Sequence, residues 1–233
     1  LLNWELLIFK NCDSAMIELL NIDCMEYMGT IPDKFFDLAI VDPPYGIGGF
    51  SRVSNSGSYK KPYKGNRVSY QYGSDNKWNN SIPNKDYFIE LKRISNRQII
   101  WGSNYYNSFS DLGGCLVWYK NPGLVSQLSQ AELASLSWKK QIDFVYIKKL
   151  NGFINTNIEY IHPCEKPIAL YKWLLKHYAK EGNKIFDSHL GSGSIAIACH
   201  DMGFSLVGTE IDFDYYTAAV KRFENHKKQL SIF

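Results

Sequence analysis

Hydrophobic positions along the chain fall in short unbroken runs rather than in strict alternation. Phe36–Val41 reads Phe-Asp-Leu-Ala-Ile-Val, and Cys115–Tyr119 reads Cys-Leu-Val-Trp-Tyr. Runs of this length, apolar almost throughout, suit strands covered on both faces. Met16–Leu20, Gln98–Trp101, Phe144–Ile147, Lys184–Phe186 and Ser205–Thr209 carry the same signal. Between several of them the spacing changes to a helical one. Ile168–Ala179 places Leu170, Trp173, Leu174 and Tyr178 at helical intervals, and Ser194–Met202 and Tyr215–His226 also read as helices. Alternation of strand and helix predicts an α/β fold: one mostly parallel sheet with helices on both faces and right-handed crossovers. In such sheets ligands bind outside the carboxyl ends of the strands.

Composition narrows the picture. The 233 residues, 45% hydrophobic and 21% charged, fit one domain spanning 1–233 and exclude wholesale disorder. No apolar run approaches the roughly 20 residues of a membrane span, so no membrane partner is expected. Leu1–Phe9 is apolar but holds Asn3 and Glu5, with no basic start and no small-residue cleavage site, so it does not read as a signal peptide. Cys12, Cys24, Cys115, Cys164 and Cys199 never form C-x-x-C, which points to reduced thiols in a cytoplasmic protein and to no zinc module. His162 and Cys164 have no second pair of ligands, and no metal is expected. A net charge of +3 implies no nucleic-acid partner by itself.

The distribution of charge says more. Phe50–Ser74 is rich in Gly, Ser, Asn and Tyr, contains Arg52, Lys60, Lys61, Lys64 and Arg67, and has no acidic residue. It reads as a long surface loop, part of a mobile, nucleic-acid-contacting stretch over 50–80. Its cations would track phosphates, and Tyr59, Tyr63, Tyr70 and Tyr72 would stack on bases. A merely solvated charged loop is the plainer alternative.

Two constellations carry chemistry. The first closes the strand Phe36–Val41 with Asp42-Pro43-Pro44-Tyr45. Two prolines stop any ladder and leave carbonyls free to accept hydrogen bonds. An ionised Asp42 only accepts. A carboxylate, a free carbonyl and the ring of Tyr45 together suit an exocyclic amino group on a planar heterocycle. The second runs from Asp187 through Gly191-Ser192-Gly193 into a helix, with Glu210 at the tip of the next strand. A glycine turn between strand and helix admits close backbone approach, and an acid about 20 residues on grips ribose hydroxyls. Ala196 meets the G-x-G-x-x-A form, so these glycines alone leave a dinucleotide cofactor open.

Together these residues resemble the amino-group DNA methyltransferases that use S-adenosylmethionine. Asp42-Pro43-Pro44-Tyr45 matches that family's catalytic motif, and Asp187 with Gly191 and Gly193 its cofactor motif. The catalytic motif comes first, the permuted arrangement of the β class. Asn21-Ile22-Asp23-Cys24 is similar to the segment whose Asp meets the cofactor adenine. Trp101-Gly102-Ser103-Asn104-Tyr105 is similar to the next strand-end motif, and His162-Pro163-Cys164-Glu165-Lys166-Pro167 to the segment beside the methionine end of the cofactor. Trp118-Tyr119-Lys120 and Ala131-Glu132-Leu133-Ala134 resemble a phage-type branch.

The resemblance implies a Rossmann-like methyltransferase sheet and assigns Asp42, Pro43, Pro44 and Tyr45 to catalysis. Asp23, Lys166, Asp187, Gly191, Gly193 and Glu210 fall to the cofactor, and Arg52, Lys60, Lys61, Lys64 and Arg67 to double-stranded DNA. Asp at the first motif position favours adenine N6 over cytosine N4, with the target base flipped out of the duplex. A second copy of the chain and a cognate restriction nuclease are further candidate partners. Residues 121–160 are a short candidate target-recognition insert. Ser188 and His189 depart from the family's usual Pro and Phe. A nicotinamide-dependent dehydrogenase and a catalytically inactive DNA-binding protein are the rivals from other classes. The first leaves Asp42-Pro43-Pro44-Tyr45 without a job.

Overall fold

The computed structural model describes residues 15–47, 49–54, 68–74, 81–106, 113–120, 129–148 and 165–230. In chain order the elements are β1 (Ile17–Leu20), α1 (Cys24–Thr30), β2 (Phe36–Val41), β3 (Gly49–Ser54), β4 (Val68–Ser74), α2 (Lys85–Ile94), β5 (Ser95–Trp101) and α3 (Ser103–Tyr106). They continue with β6 (Cys115–Tyr119), β7 (Ala131–Leu136), β8 (Ile142–Tyr146), α4 (Ile168–Tyr178), β9 (Lys184–Asp187), α5 (Ser194–Met202), β10 (Ser205–Thr209) and α6 (Phe213–Leu230). Eight strands form one sheet in the order β1-β10-β9-β2-β5-β7-β6-β8. The block from β1 to β5 is parallel throughout. β7 runs antiparallel to both β5 and β6, and β8 is parallel to β6.

The unbroken apolar runs are explained by two cores. Leu38 and Ile40 of β2, Ile99 and Trp101 of β5, and Ile185 of β9 face α4, α5 and α6. Their neighbours Ala39, Val41, Ile100 and Phe186 face Met28 of α1 and Tyr87, Leu91 and Ile94 of α2. Successive side chains of a strand point to opposite faces, so a strand covered on both sides must be apolar at every position. Fully burying one such side chain is worth about 1.5–3 kcal/mol. The polar exception in β2, Asp37, accepts a hydrogen bond from Lys184 N at 2.8 Å. α5 is buried from Ser194 to Cys199, which its small Ala and Ser side chains permit.

Several elements depart from expectation. Part of the basic stretch expected to be a loop is an antiparallel pair, β3 with β4, that leaves the sheet shortly after Tyr45. Its Tyr, Val and Ser content supports strands, and the Gly and Asn spread through it hid the pattern. β7 is a strand that the apolar pattern does not predict, because Glu132 and Ser135 interrupt its apolar positions. β8 starts two residues earlier than the run Phe144–Ile147 suggests. Within 121–160, the described residues 131–136 and 142–146 are strands of the main sheet.

Candidate functional site

β2 and β9 are neighbours, with Leu38 paired to Ile185 and Ala39 to Phe186. The two sequence constellations therefore leave adjacent strand tips. Asp42 follows β2 directly and its side chain is 15% exposed. Its Oδ1 accepts from Tyr45 Oη at 2.5 Å, and its Oδ2 pairs with the ammonium of Lys166. Pro43 O accepts from Tyr106 Oη at 2.6 Å. Burial, then the Asp42 charge, pushes the Tyr45 and Tyr106 hydroxyls above the ordinary tyrosine range, so both remain protonated donors. Tyr45 stacks on Tyr105 with ring centroids 4.9 Å apart. It also lies over Gly102, where an added Cβ would fall 2.3 Å from the ring. Gly102, at φ 73°, thus fits both the turn after β5 and the close approach of the aromatic ring.

The glycine turn follows β9. Gly191 and Gly193 take φ of 53° and 72°, and Gly193 caps the start of α5. Glu210 closes the turn from the next strand: its Oε2 accepts from Gly191 N at 2.9 Å and its Oε1 from Asp212 N at 3.0 Å. Each oxygen keeps acceptor capacity for a hydroxyl. Asp187 is 1% exposed, and its Oδ1 accepts from His189 N at 3.0 Å. Burial raises its carboxyl to about 8, helped by the Asp42 and Glu210 charges and opposed by the His189 N–H and Lys166. Ser188 Oγ lies 2.7 Å from Tyr87 Oη and 2.8 Å from His189 Nδ1. Burial lowers the His189 imidazole to about 4, so it is neutral at pH 7. The Pro-Phe to Ser-His change therefore substitutes a hydrogen-bonded polar chain for an apolar ring. Asp23 caps α1, its Oδ1 accepting from Met25 N at 2.7 Å. Asn21 Nδ2 donates to Glu210 O at 2.8 Å and ties the tip of β1 to that of β10.

Residues 165 and 166 join the two halves. Arg222 of α6 pairs with Glu165 at 2.8 Å and donates to Ser192 O, inside the glycine turn, at 3.0 Å. The next residue, Lys166, reaches Asp42 and also Glu132 Oε2 at 3.3 Å, and Glu132 Oε1 holds Lys120 at 2.5 Å. Sequence reasoning leaves Glu132 unassigned and does not single out Tyr87 or Tyr106. Their partners lie far along the chain, and only the position of Glu132 in a short polar break of an apolar run hints at it. Arg52 lies in β3. Lys60, Lys61, Lys64 and Arg67, with His162 and Cys164, lie outside the described residues. Among the described residues no group of three or more His, Cys, Asp or Glu is placed to hold a metal, and no helix is long and apolar enough to cross a membrane.

Residues 53–221 match the model of the N6/N4 methyltransferase family, described as DNA methylase. The chain belongs to this DNA methylase family. A type II methyltransferase of Streptomyces caespitosus, M.ScaI, is 23% identical over 89% of this chain and 81% of its own length. M2.DpnII of Streptococcus pneumoniae is 21% identical over 88% of this chain and 89% of its own length. Among solved structures, the M1.HpyAVI–SAM complex superposes with a TM-score of 0.53 at 18% identity, covering 89% of this chain and all of that one. The cytosine-N4-specific PvuII methyltransferase superposes at 0.58 with 11% identity, covering 92% and 91%. These likenesses establish the Rossmann-like methyltransferase sheet. In the methylase described here, Asp42-Pro43-Pro44-Tyr45 and the glycine turn occupy the paired ends of its central strands.

Proposed function

We propose that this DNA methylase transfers a methyl group from S-adenosylmethionine to the exocyclic N6 of an adenine flipped out of double-stranded DNA. The observation that carries the reading is the juxtaposition of Asp42 with the Asp187–Gly193 turn on neighbouring strand tips. Asp rather than Ser or Asn at the first motif position favours adenine.

The residues present suit the cofactor. Glu210 has acceptor capacity for ribose hydroxyls, and Gly191 and Gly193 leave room for close backbone approach. Ser103 Oγ, fully buried after β5, has no protein hydrogen-bond partner among the described residues. When bound, the cofactor supplies an electrophilic methyl group on a sulfonium sulfur. The chain's own residues do the rest. Asp42 and Pro43 O accept hydrogen bonds from the two amino N–H groups, which localises a nitrogen lone pair otherwise delocalised into the ring. Tyr45, buttressed by Gly102 and Tyr105, offers an aromatic surface beside that amine. Rigid placement of nucleophile and donor on one sheet supplies alignment, a source of about 7–11 kcal/mol in well-oriented reactions. Flipping the base costs a few kcal/mol, which DNA contacts offset. The β3–β4 pair, leaving the sheet shortly after Tyr45, is the proposed DNA-contacting element.

The deciding experiment incubates the protein with mixed-sequence duplex DNA and labelled S-adenosylmethionine, then digests the product to nucleosides. Label in N6-methyladenine is the expected result. Label in N4-methylcytosine would overturn the choice of base, and no label in any nucleoside would overturn the activity.

A further inference from the structure

The proposed reaction makes a demand on Asp42 that the resting arrangement does not yet meet. Each of its oxygens already holds one donor, Oδ1 the Tyr45 hydroxyl and Oδ2 the Lys166 ammonium, so lone pairs remain but the charge that should draw the amine is offset by a buried cation. The Lys166 side chain is 2% exposed, so its charge cannot retreat into solvent when an amino group arrives. A buried ammonium that leaves one carboxylate must find another. One lies within reach: Glu132 Oε2, from β7, is 3.3 Å from the same Nζ. The rings of Trp101 and Tyr45 flank the ammonium at 5.1 and 5.9 Å, aromatic surfaces that favour a cation near them. Lys120 holds the other Glu132 oxygen at 2.5 Å and so fixes the carboxylate in place. The four groups alternate in sign: Asp42, Lys166, Glu132, Lys120.

We propose that Glu132 is a positioning residue for methyl transfer: it receives the Lys166 ammonium when the target amine takes Asp42 Oδ2. This rests on the function proposed above. No bond is made or broken in the shift; one ion pair, Lys166–Asp42, is exchanged for a tighter Lys166–Glu132 pair. Asp42 is thereby held ready in the absence of DNA without an unpaired carboxylate, and turns Oδ2 to the target amine only when that amine replaces the ammonium.

The test uses the full chain with mixed-sequence duplex DNA. It compares kcat, KM for DNA and the S-adenosylmethionine Kd of wild type, Glu132→Gln, Glu132→Asp and the double variant Glu132→Gln/Lys120→Gln. Glu132→Gln should lower kcat at least tenfold while KM and Kd stay within about twofold, and Glu132→Asp should keep more turnover than Glu132→Gln. The double variant restores net charge but not the anionic acceptor, so it should remain as slow as Glu132→Gln. Wild-type kcat in Glu132→Gln, recovery in the double variant, or a parallel collapse of kcat and cofactor affinity would each overturn the proposal in favour of a passive ionic brace. If Glu132→Gln alone does not fold, the charge-neutral double variant carries the same test. A wild type that methylates no DNA would instead sink the underlying activity, so the two failures are told apart by the wild-type assay.

Discussion

Asp187 and His189 are two residues apart, both are buried, and their titrations run in opposite directions. The Asp187 carboxyl is raised from 3.8 to about 8, so its contribution to stability is complete below about pH 4 and lost as pH rises through 8. The His189 imidazole is lowered from 6.5 to about 4, so its contribution is complete above pH 6.5 and lost as pH falls through 4. Between pH 4 and 6.5 the two slopes oppose each other; between 6.5 and 8 only Asp187 acts. Urea unfolding of the cofactor-free protein should therefore show stability declining by on the order of 2 kcal/mol from pH 6.5 to 8. In Asp187→Asn that decline should vanish. In the proposed function Asp42 belongs to the chemistry instead. Asp42→Ala should abolish methyl transfer while leaving S-adenosylmethionine binding largely intact by calorimetry, because its hydrogen bonds run to Tyr45 and Lys166 and none to the glycine turn. Unchanged turnover would remove Asp42 from the mechanism. The motif residues Asp42, Tyr45, Asp187 and Glu210 are legible in the chain because they cluster where apolar runs close. Glu132, Tyr106 and Tyr87 are not, because what they touch comes from strands and turns distant in sequence.

At the level of elements, α5 shows how backbone conformation and helix packing are joined. Gly193 sits at its start with φ 72°, and an added Cβ would lie 3.1 Å from the Ala219 Cβ of α6. Gly193→Ala should cost about 1–2 kcal/mol from the left-handed conformation alone. It should weaken cofactor binding as well, read by denaturant unfolding and by titration. For the β3–β4 pair and its connection, the property that matters is charge. Neutralising Arg52, Lys60, Lys61, Lys64 and Arg67 should weaken DNA binding and flatten the plot of log affinity against log salt. Each cation removed from a phosphate should reduce the slope by about 0.9. An unaltered slope would take these cations off the DNA. The limits of β2, β6, α5 and β10 follow directly from their apolar runs. α1 is hidden because it is one short stretch of seven residues, held by the Asp23 cap more than by any periodicity. β7 is hidden because Glu132 is there for the ion chain, against the apolar pattern of its strand.

Across the whole molecule, the feature that composition and periodicity could not supply is strand order. That order is set by long-range pairing: β7 inserts antiparallel between β5 and β6, and β2 is held between β5 from the middle of the chain and β9 from its last quarter. The first described strand, β1, has β10 as its sheet neighbour. During synthesis, then, the proposed catalytic tip at Asp42 leaves the ribosome long before the strands that flank it. A nascent chain halted before Lys184 would hold the amine-gripping motif with an open sheet edge beside it and nothing to complete the donor site. A chain that ended there would lack β9 and β10 and the glycine turn between them, and would leave the edge of β2 unpaired on that side.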